Sequence, residues 1–309
     1  MNDRLYALAV KKALKSLPSD WKPEALLVPW LFPDASGVNR VPELQGLPLL
    51  AVAQGSDVHQ YLDMPARKKA ILALGQRAHI ITRSEDLRQR LLKAGASAEK
   101  VTAVYNGVDT KTFHPGDKMT ARKVLGLPQD RRLLLFVGNF LPVKGLDLLI
   151  QAAALLNQEI PLHLVLIGSG PLEAALKTLC ETSGLGLDHV SFVGRKEASE
   201  VAEYMRAVDV VCLSSHNEGV PNVLLEAFAS GRAVVSTHVG GISEITSAAP
   251  DCNFLAKGRE LTTYRHELSK ALNPGVNEIL LSSYANQFSW PRCAQIYWTR
   301  LFAMSENST

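Results

Sequence analysis

The run Val208-Asp209-Val210-Val211-Cys212-Leu213 is followed by Glu218-Gly219-Val220-Pro221-Asn222-Val223-Leu224-Leu225-Glu226-Ala227 and, past Gly231, by Ala233-Val234-Val235-Ser236. The first apolar run reads as a buried strand. The middle segment reads as a loop entering a short helix, Gly231 stops that helix, and a second apolar run reads as another strand. Strand, helix and strand in this order form the repeating piece of a parallel sheet. Glu218 and Glu226 stand eight positions apart. On one helix they would be turned about 80° from each other and would not face a common ligand. The arrangement works if Glu218 sits on the loop and Glu226 on the helix. The free N–H groups of the helix start then lie between the two acids, a ready seat for an anion such as a phosphate.

The same rhythm extends outward. Strands are expected at 133–137, 162–167 and 190–193, with helices from residue 145, from Pro171 and over 198–206. Upstream, a helix over 4–17 carries lysines opposite Leu5, Leu8, Ala9 and Ala13. Strands at 25–28 and 49–53, a helix at 66–75, a strand at 78–81, a helix at 84–93 and a strand at 101–104 follow. Residues 110–130, with His114-Pro115-Gly116 and Pro128 among polar residues, read as an interdomain connection. Residues 288–304 read as a last helix. Ligands of parallel α/β sheets sit beyond the carboxyl ends of the strands.

With 309 residues, 47% hydrophobic and 20% charged, the chain suits one large or two moderate domains. A net charge of +3 gives no reason to expect nucleic acid. Cys180, Cys212, Cys252 and Cys293 are widely spaced with no Cys-x-x-Cys, which fits reduced core thiols in a cytosolic protein. His163, His189, His216 and His238 lack ligand spacing, so no metal is assigned. No apolar run of membrane-spanning length occurs, and Met1-Asn2-Asp3-Arg4 lacks a signal-peptide pattern, so a cytoplasmic location is expected.

A second glycine-bearing loop, Val137-Gly138-Asn139-Phe140-Leu141-Pro142-Val143-Lys144-Gly145, follows a strand and opens a helix. Gly138 permits close backbone approach and Lys144 can reach a phosphate; the plainer reading is a solvated lysine at a helix start. A third turn, Ile167-Gly168-Ser169-Gly170-Pro171, is as readily a structural turn as a ligand contact.

Glu-Gly-x-Pro-Asn-x-x-x-Glu-Ala at 218–227, then Gly231-x-Ala-Val-Val, then Gly240-Gly241-Ile242-x-Glu244 resemble the retaining glycosyltransferases of family four, also called group 1. The likeness is strongest from Val101 to Glu244. It implies an α/β chain of GT-B type, with two Rossmann-like domains around a cleft. These would be an acceptor-side domain over 1–115, a nucleotide-sugar-binding domain over 116–285, and a helical segment over 286–309 packing back on the first. The implied activity is metal-independent transfer, with retention, of a sugar from a nucleoside diphosphate sugar to a hydroxyl of a glycan or lipid-linked acceptor. No cofactor is implied, and the Asp-x-Asp pair of another glycosyltransferase architecture does not occur.

By the same resemblance Glu226 would hold the ribose hydroxyls, and Glu218 would sit near the transferred sugar. Gly219, Val220 and Asn222 would approach sugar and phosphate. Gly138, Asn139 and Lys144 would lie along the diphosphate, with Glu218 and Lys144 as the catalytic pair. Arg195, after Phe192-Val193-Gly194, would stack on the base or remain a surface arginine. Gln54, Gly55, Asp57 and Asn106 would form the acceptor side of the cleft, though Asp57 also reads as a helix-capping acid and Asn106-Gly107 as a plain turn.

The sequence departs from the family pattern in three places. Asn139 stands where an arginine is usual, Gln54 where a histidine or arginine is usual, and the N-terminal domain is short and lacks the family's first glycine-rich loop. These departures give the rival reading, a weak or silent nucleotide-sugar-binding subunit, with a partner or second copy covering the reduced domain. The basic triplet Arg67-Lys68-Lys69 suits peripheral contact with an anionic surface at the inner face of the cell membrane, or a solvated helix face.

Overall fold

The computed structural model describes residues 2–249, 252, 254–273 and 276–306; Met1 and the last three positions of the 286–309 segment lie outside them. The chain forms two compact units, one of Met1–Asn106 with Trp290–Thr309, the other of Gly107–Ser289.

The first unit holds a four-stranded parallel sheet in sequential order. Its strands are β1 (Leu26–Val28), β2 (Leu49–Ala53), β3 (His79–Thr82) and β4 (Val101–Ala103). Every residue of β2 and β3 is buried, as strands covered on both faces require. One face carries a core of Leu49, Ala51, Ile80, Ile71, Leu74 and Leu87 with the helices Pro65–Leu74 and Glu85–Ala94. On the other face Leu50, Val52, Ile81 and Val104 pack with Cys293, Ile296, Tyr297 and Leu301 of the helix Trp290–Glu306. Arg67 of the basic triplet is turned onto its own unit, with its guanidinium 4.3 Å from the Tyr61 ring and 5.4 Å from that of Phe32. Among the described residues no helix is long and apolar enough to cross a membrane.

The second unit holds a six-stranded parallel sheet. Its strands are β5 (Arg132–Val137), β6 (Leu162–Ile167), β7 (Val190–Gly194), β8 (Val210–Leu213), β9 (Ala233–Thr237) and β10 (Phe254–Ala256), in the spatial order β10-β9-β8-β5-β6-β7. The chain builds outward from β5 through β6 to β7, then returns to the far side of β5 for β8. This is the doubly wound order, with its reversal between β5 and β8. The apolar helix Leu146–Asn157 is buried along most of its length, including Leu148, Leu149, Ile150 and Ala153.

Two expectations are corrected here. Residues 110–130 are not a simple connection: Lys118–Val124 is a helix of the second unit, capped by Asp117, whose carboxylate accepts from Thr120 N at 2.7 Å. Its polar look misleads because Arg122 is a buried tether, donating to Ala207 O at 2.8 Å and to Asp209 Oδ2 at 2.7 Å. Strand β8 starts at Val210 rather than 208. Asp209 stands at its mouth, where the carboxylate accepts from Leu133 N at 2.8 Å and joins Lys118 Nζ at 3.0 Å. The four cysteines are free and buried.

Asp209 thus neutralises a guanidinium that has almost no access to water. Asp209→Asn is expected to destabilise the chain by about 3 kcal/mol in urea unfolding, because Arg122 loses its buried counter-charge. A loss below about 1 kcal/mol would mean that the pair is not structural.

Candidate functional site at the strand reversal

The loops that leave β5 and β8 part at the reversal, and the sequence places Lys144 on one and Glu218 on the other. Lys144 ends a 3-10 turn, Pro142–Lys144, and Gly145 follows it with φ +57°. A Cβ at Gly145 would lie 2.3 Å from Ser214 O, so only glycine lets the two loops approach. Lys144 Nζ donates to Glu218 Oε1 at 2.6 Å, and Ser215 Oγ donates to the same oxygen at 2.7 Å. Three further bonds lace the strand ends together. Ser214 Oγ donates to Lys144 O at 3.0 Å, His216 N to Val143 O at 2.8 Å, and Thr237 Oγ1 to Ser215 O at 2.7 Å.

The loop after β9 supports Glu218 from the other side. Gly241 N donates to Gly219 O at 3.0 Å, and Gly240, with φ +54°, lies so close that a Cβ there would sit 1.8 Å from Glu218 O. Pro221 then starts the helix Asn222–Ala229 and, as a proline, offers no side-chain cap of its own. Asn222 and Glu226 are one turn apart and share a helix face. The half-buried Glu226 carboxylate has no hydrogen bond or ion pair among the described residues. Burial pushes its carboxyl up to about 7.

The glycine turn after β6 is locked to its neighbours by backbone. Gly138 N donates to Ile167 O at 2.9 Å, Phe140 N to Ser169 O at 3.0 Å and Gly168 N to Gly194 O at 2.8 Å. A Cβ at Gly168 would lie 1.9 Å from Gly138 O, and one at Gly170 would lie 2.5 Å from Phe140 O. The turn is therefore explained by packing alone. Asn139 and Arg195 are exposed, and Arg195 Nε donates to Ser169 Oγ at 2.8 Å.

One cation escaped the sequence reading. Arg259, on the loop after β10, donates to Ser214 O, and its guanidinium lies 3.8 Å from Asp147 Oδ1. It reaches the Lys144–Gly145 corner, where a Cβ at Gly145 would lie 2.6 Å from its Nη1. Only Lys257 and Gly258 near it hint at a role, because its partner lies 45 positions earlier in the chain.

In the first unit, Asp57 is fully buried and its carboxylate accepts from Leu31 N and Gln54 N at 3.0 Å and from Gly55 N at 2.9 Å. Burial pushes its carboxyl up against the pull of these amides. It holds the loop through these three amides. Gln54 Nε2 donates to Pro29 O at 2.9 Å, and Asn106 Oδ1 accepts from Arg83 Nη1. Among the described residues no group of acids, histidines and cysteines has the arrangement of a metal site.

The Glycosyl transferases group 1 family matches residues 117–275. D-inositol 3-phosphate glycosyltransferase of Actinosynnema mirum is 36% identical over 213 residues, which are 65% of this chain and 51% of that protein. The Mycolicibacterium smegmatis enzyme of the same name is 30% identical over 219 residues, 68% of this chain and 49% of that one. The chain spans about half the length of the curated relatives it matches. Sucrose-phosphate synthase of Thermosynechococcus elongatus superposes over 99% of this chain and 80% of its own, at 20% identity and a TM-score of 0.83. Anabaena HepE in complex with UDP does so over 97% and 82%, at 20% identity and 0.79. These likenesses carry the fold, an α/β chain of GT-B type with two parallel sheets. The match of sequence over 117–275 carries the rest: the chain belongs to the group 1 glycosyl transferases.

Proposed function

We propose that this chain is a retaining, metal-independent glycosyltransferase that moves a sugar from a nucleoside diphosphate sugar to a hydroxyl of a glycan or lipid-linked acceptor. The observation that carries the reading is the grouping at the strand reversal: an ammonium on one loop, an acid on the other, and a helix start followed by a carboxylate with no partner among the described residues. Family membership and the glycosyltransferase names of the relatives support the reaction class.

Each group has a task. Breaking the sugar–phosphate bond leaves negative charge on the departing diphosphate, and the Lys144 ammonium with the first amides of Asn222–Ala229 meets that charge. These groups supply the positive charge that a divalent ion supplies elsewhere, which supports the metal-independent reading. Glu226, once ionised, accepts hydrogen bonds from the two ribose hydroxyls, a task that suits a carboxylate with free acceptor capacity. Glu218 faces the sugar once the diphosphate draws Lys144 away from it. Retention rests on the family resemblance.

The test is incubation of the chain with a panel of UDP- and GDP-sugars and candidate acceptors, reading released nucleoside diphosphate and the anomeric proton of the product. Turnover that survives excess EDTA and yields the donor's anomeric configuration is expected. An inverted product or an EDTA-silenced reaction would overturn those parts of the reading, and binding without turnover would favour the silent subunit.

Two substitutions separate the roles. Lys144→Ala is expected to lower kcat/KM at least tenfold, about 1.4 kcal/mol of transition-state stabilisation. Glu218→Gln frees Lys144 from its ion pair, so it should bind UDP severalfold more tightly in calorimetry while turning over more slowly; weaker UDP binding would contradict the competition. Stability also reports on Glu226. Its pKa is near 4.5 in the unfolded chain and about 7 folded, so the native state holds the extra proton between these values. The stability this gives is full below about pH 4.5 and is lost as pH rises through 7. Glu226→Gln should flatten that slope and be more stable than wild type by roughly 2 kcal/mol at pH 8, with donor kcat/KM down at least tenfold.

A further inference from the structure

Arg259 is carried on the turn between β10 and the helix Leu261–Ala271. The turn is firmly held. Gly258 supplies a φ of +90° on one side, and on the other the helix is anchored by the fully buried Tyr264 and Leu268. From this base Arg259 Nη1 donates to Ser214 O, just beyond the end of β8. The hydroxyl of the same Ser214 donates to Lys144 O at 3.0 Å. One serine thus joins Arg259 on one side to the main chain of Lys144 on the other.

The guanidinium also occupies the space beside Gly145. A Cβ there would lie 2.6 Å from both Nη1 and Nη2. Gly145 has φ +57° and no side chain, so its own conformational preference does little to hold the corner. A planar guanidinium against it takes up the room through which the corner would move. Asp147, in the first turn of Leu146–Asn157, lies 3.8 Å from Nη2 and balances the charge. Glu218 takes its bonds from Lys144 and Ser215 instead.

These contacts divide the work at the corner. In the proposed reaction the Lys144 ammonium has to leave Glu218 for the diphosphate, so its side chain must move. Its main chain must not, because a loose anchor would scatter the ammonium and weaken its hold on the developing charge. We infer that Arg259 is a positioning residue: it keeps the Ser214–Lys144–Gly145 frame still while the Lys144 side chain swings. The catalytic part of this role rests on the donor reading above; the fastening of the frame does not.

The experiment compares the full chain with Arg259→Ala and Arg259→Lys in two measurements. The first is amide hydrogen exchange without ligand. Arg259→Ala is expected to speed exchange at Gly145, whose N–H bonds Pro142 O, and at His216, whose N–H bonds Val143 O, while the amides of β6 keep wild-type protection. The second is turnover of whichever nucleotide sugar the wild type uses. Arg259→Ala is expected to lower kcat at least fivefold with donor KM changed less than twofold. The Arg259 side chain is 25% exposed, so added guanidinium chloride can enter the hole and should restore kcat, where equal sodium chloride does not. Arg259→Lys keeps a donor for Ser214 O without the planar group over Gly145. It should fall between the two in both measurements, and it decides the matter if Arg259→Ala loses β6 protection as well. Unchanged exchange at Gly145 and His216 overturns the proposal whether or not the chain turns over. A raised KM with kcat intact also overturns it, by making Arg259 a donor contact, and so does a lost kcat that guanidinium fails to restore. A wild type that neither binds UDP nor turns over any donor sinks the donor reading and the catalytic part of this role, while the exchange result still decides the fastening.

Discussion

The single bond between Lys144 Nζ and Glu218 Oε1 spans the one place where the strand order of the larger sheet reverses. On one side of β5 the chain runs on through β6 to β7, and on the other through β8 and β9 to β10. Between β5 and β8 the chain departs in opposite directions and leaves a crevice. The ion pair sits in that crevice with limited access to water, 27% for the lysine side chain and 11% for the glutamate. A charge-assisted bond in such a place contributes on the order of 2 kcal/mol. Any anion arriving at Lys144 must better what the protein already supplies. A diphosphate would do so by bringing more charge and by reaching the helix opening as well. A monovalent anion has neither advantage, so on the proposed donor reading the resident acid would favour multiply charged ligands.

The sequence was most readable where physics acts locally. Runs such as Leu133-Leu134-Leu135-Phe136-Val137 and Leu162-His163-Leu164-Val165-Leu166-Ile167 are buried strands because nothing in them tolerates water, and the structure has them at those positions. Glu218 on a loop and Glu226 on a helix followed from the arithmetic of helical turns, and both are so placed. The reading failed where a residue's partner is far away in the chain. Arg122 looks like a solvated helix residue until Asp209, 87 positions on, is brought beside it. Arg259 looks like loop filler until Ser214 meets it. Asp57 gathers the amides of Gln54 and Gly55 and that of Leu31, 26 positions earlier. Side chains whose meaning is set by a distant partner carry no local pattern.

The two acids at the crevice differ by environment alone. Glu218 has an ammonium and a hydroxyl on one oxygen. Glu226, eight positions on, has neither, and burial holds its proton up to about 7. A bound ribose would supply what Glu226 lacks and favour its ionised form. Filling the site would thus expel a proton as well as water.

The backbone contacts at Gly168, Gly170 and Gly240 have a consequence for how this surface can change over evolutionary time. Each turn is built against the main chain of its neighbour with no space for even one added carbon. Exchanging any one turn for that of a cousin would collide with the others, so the scaffold is inherited as a block. Divergence in what is recognised is left to outward-facing positions such as Asn139, Arg195 and His216, which can vary without moving the frame beneath them.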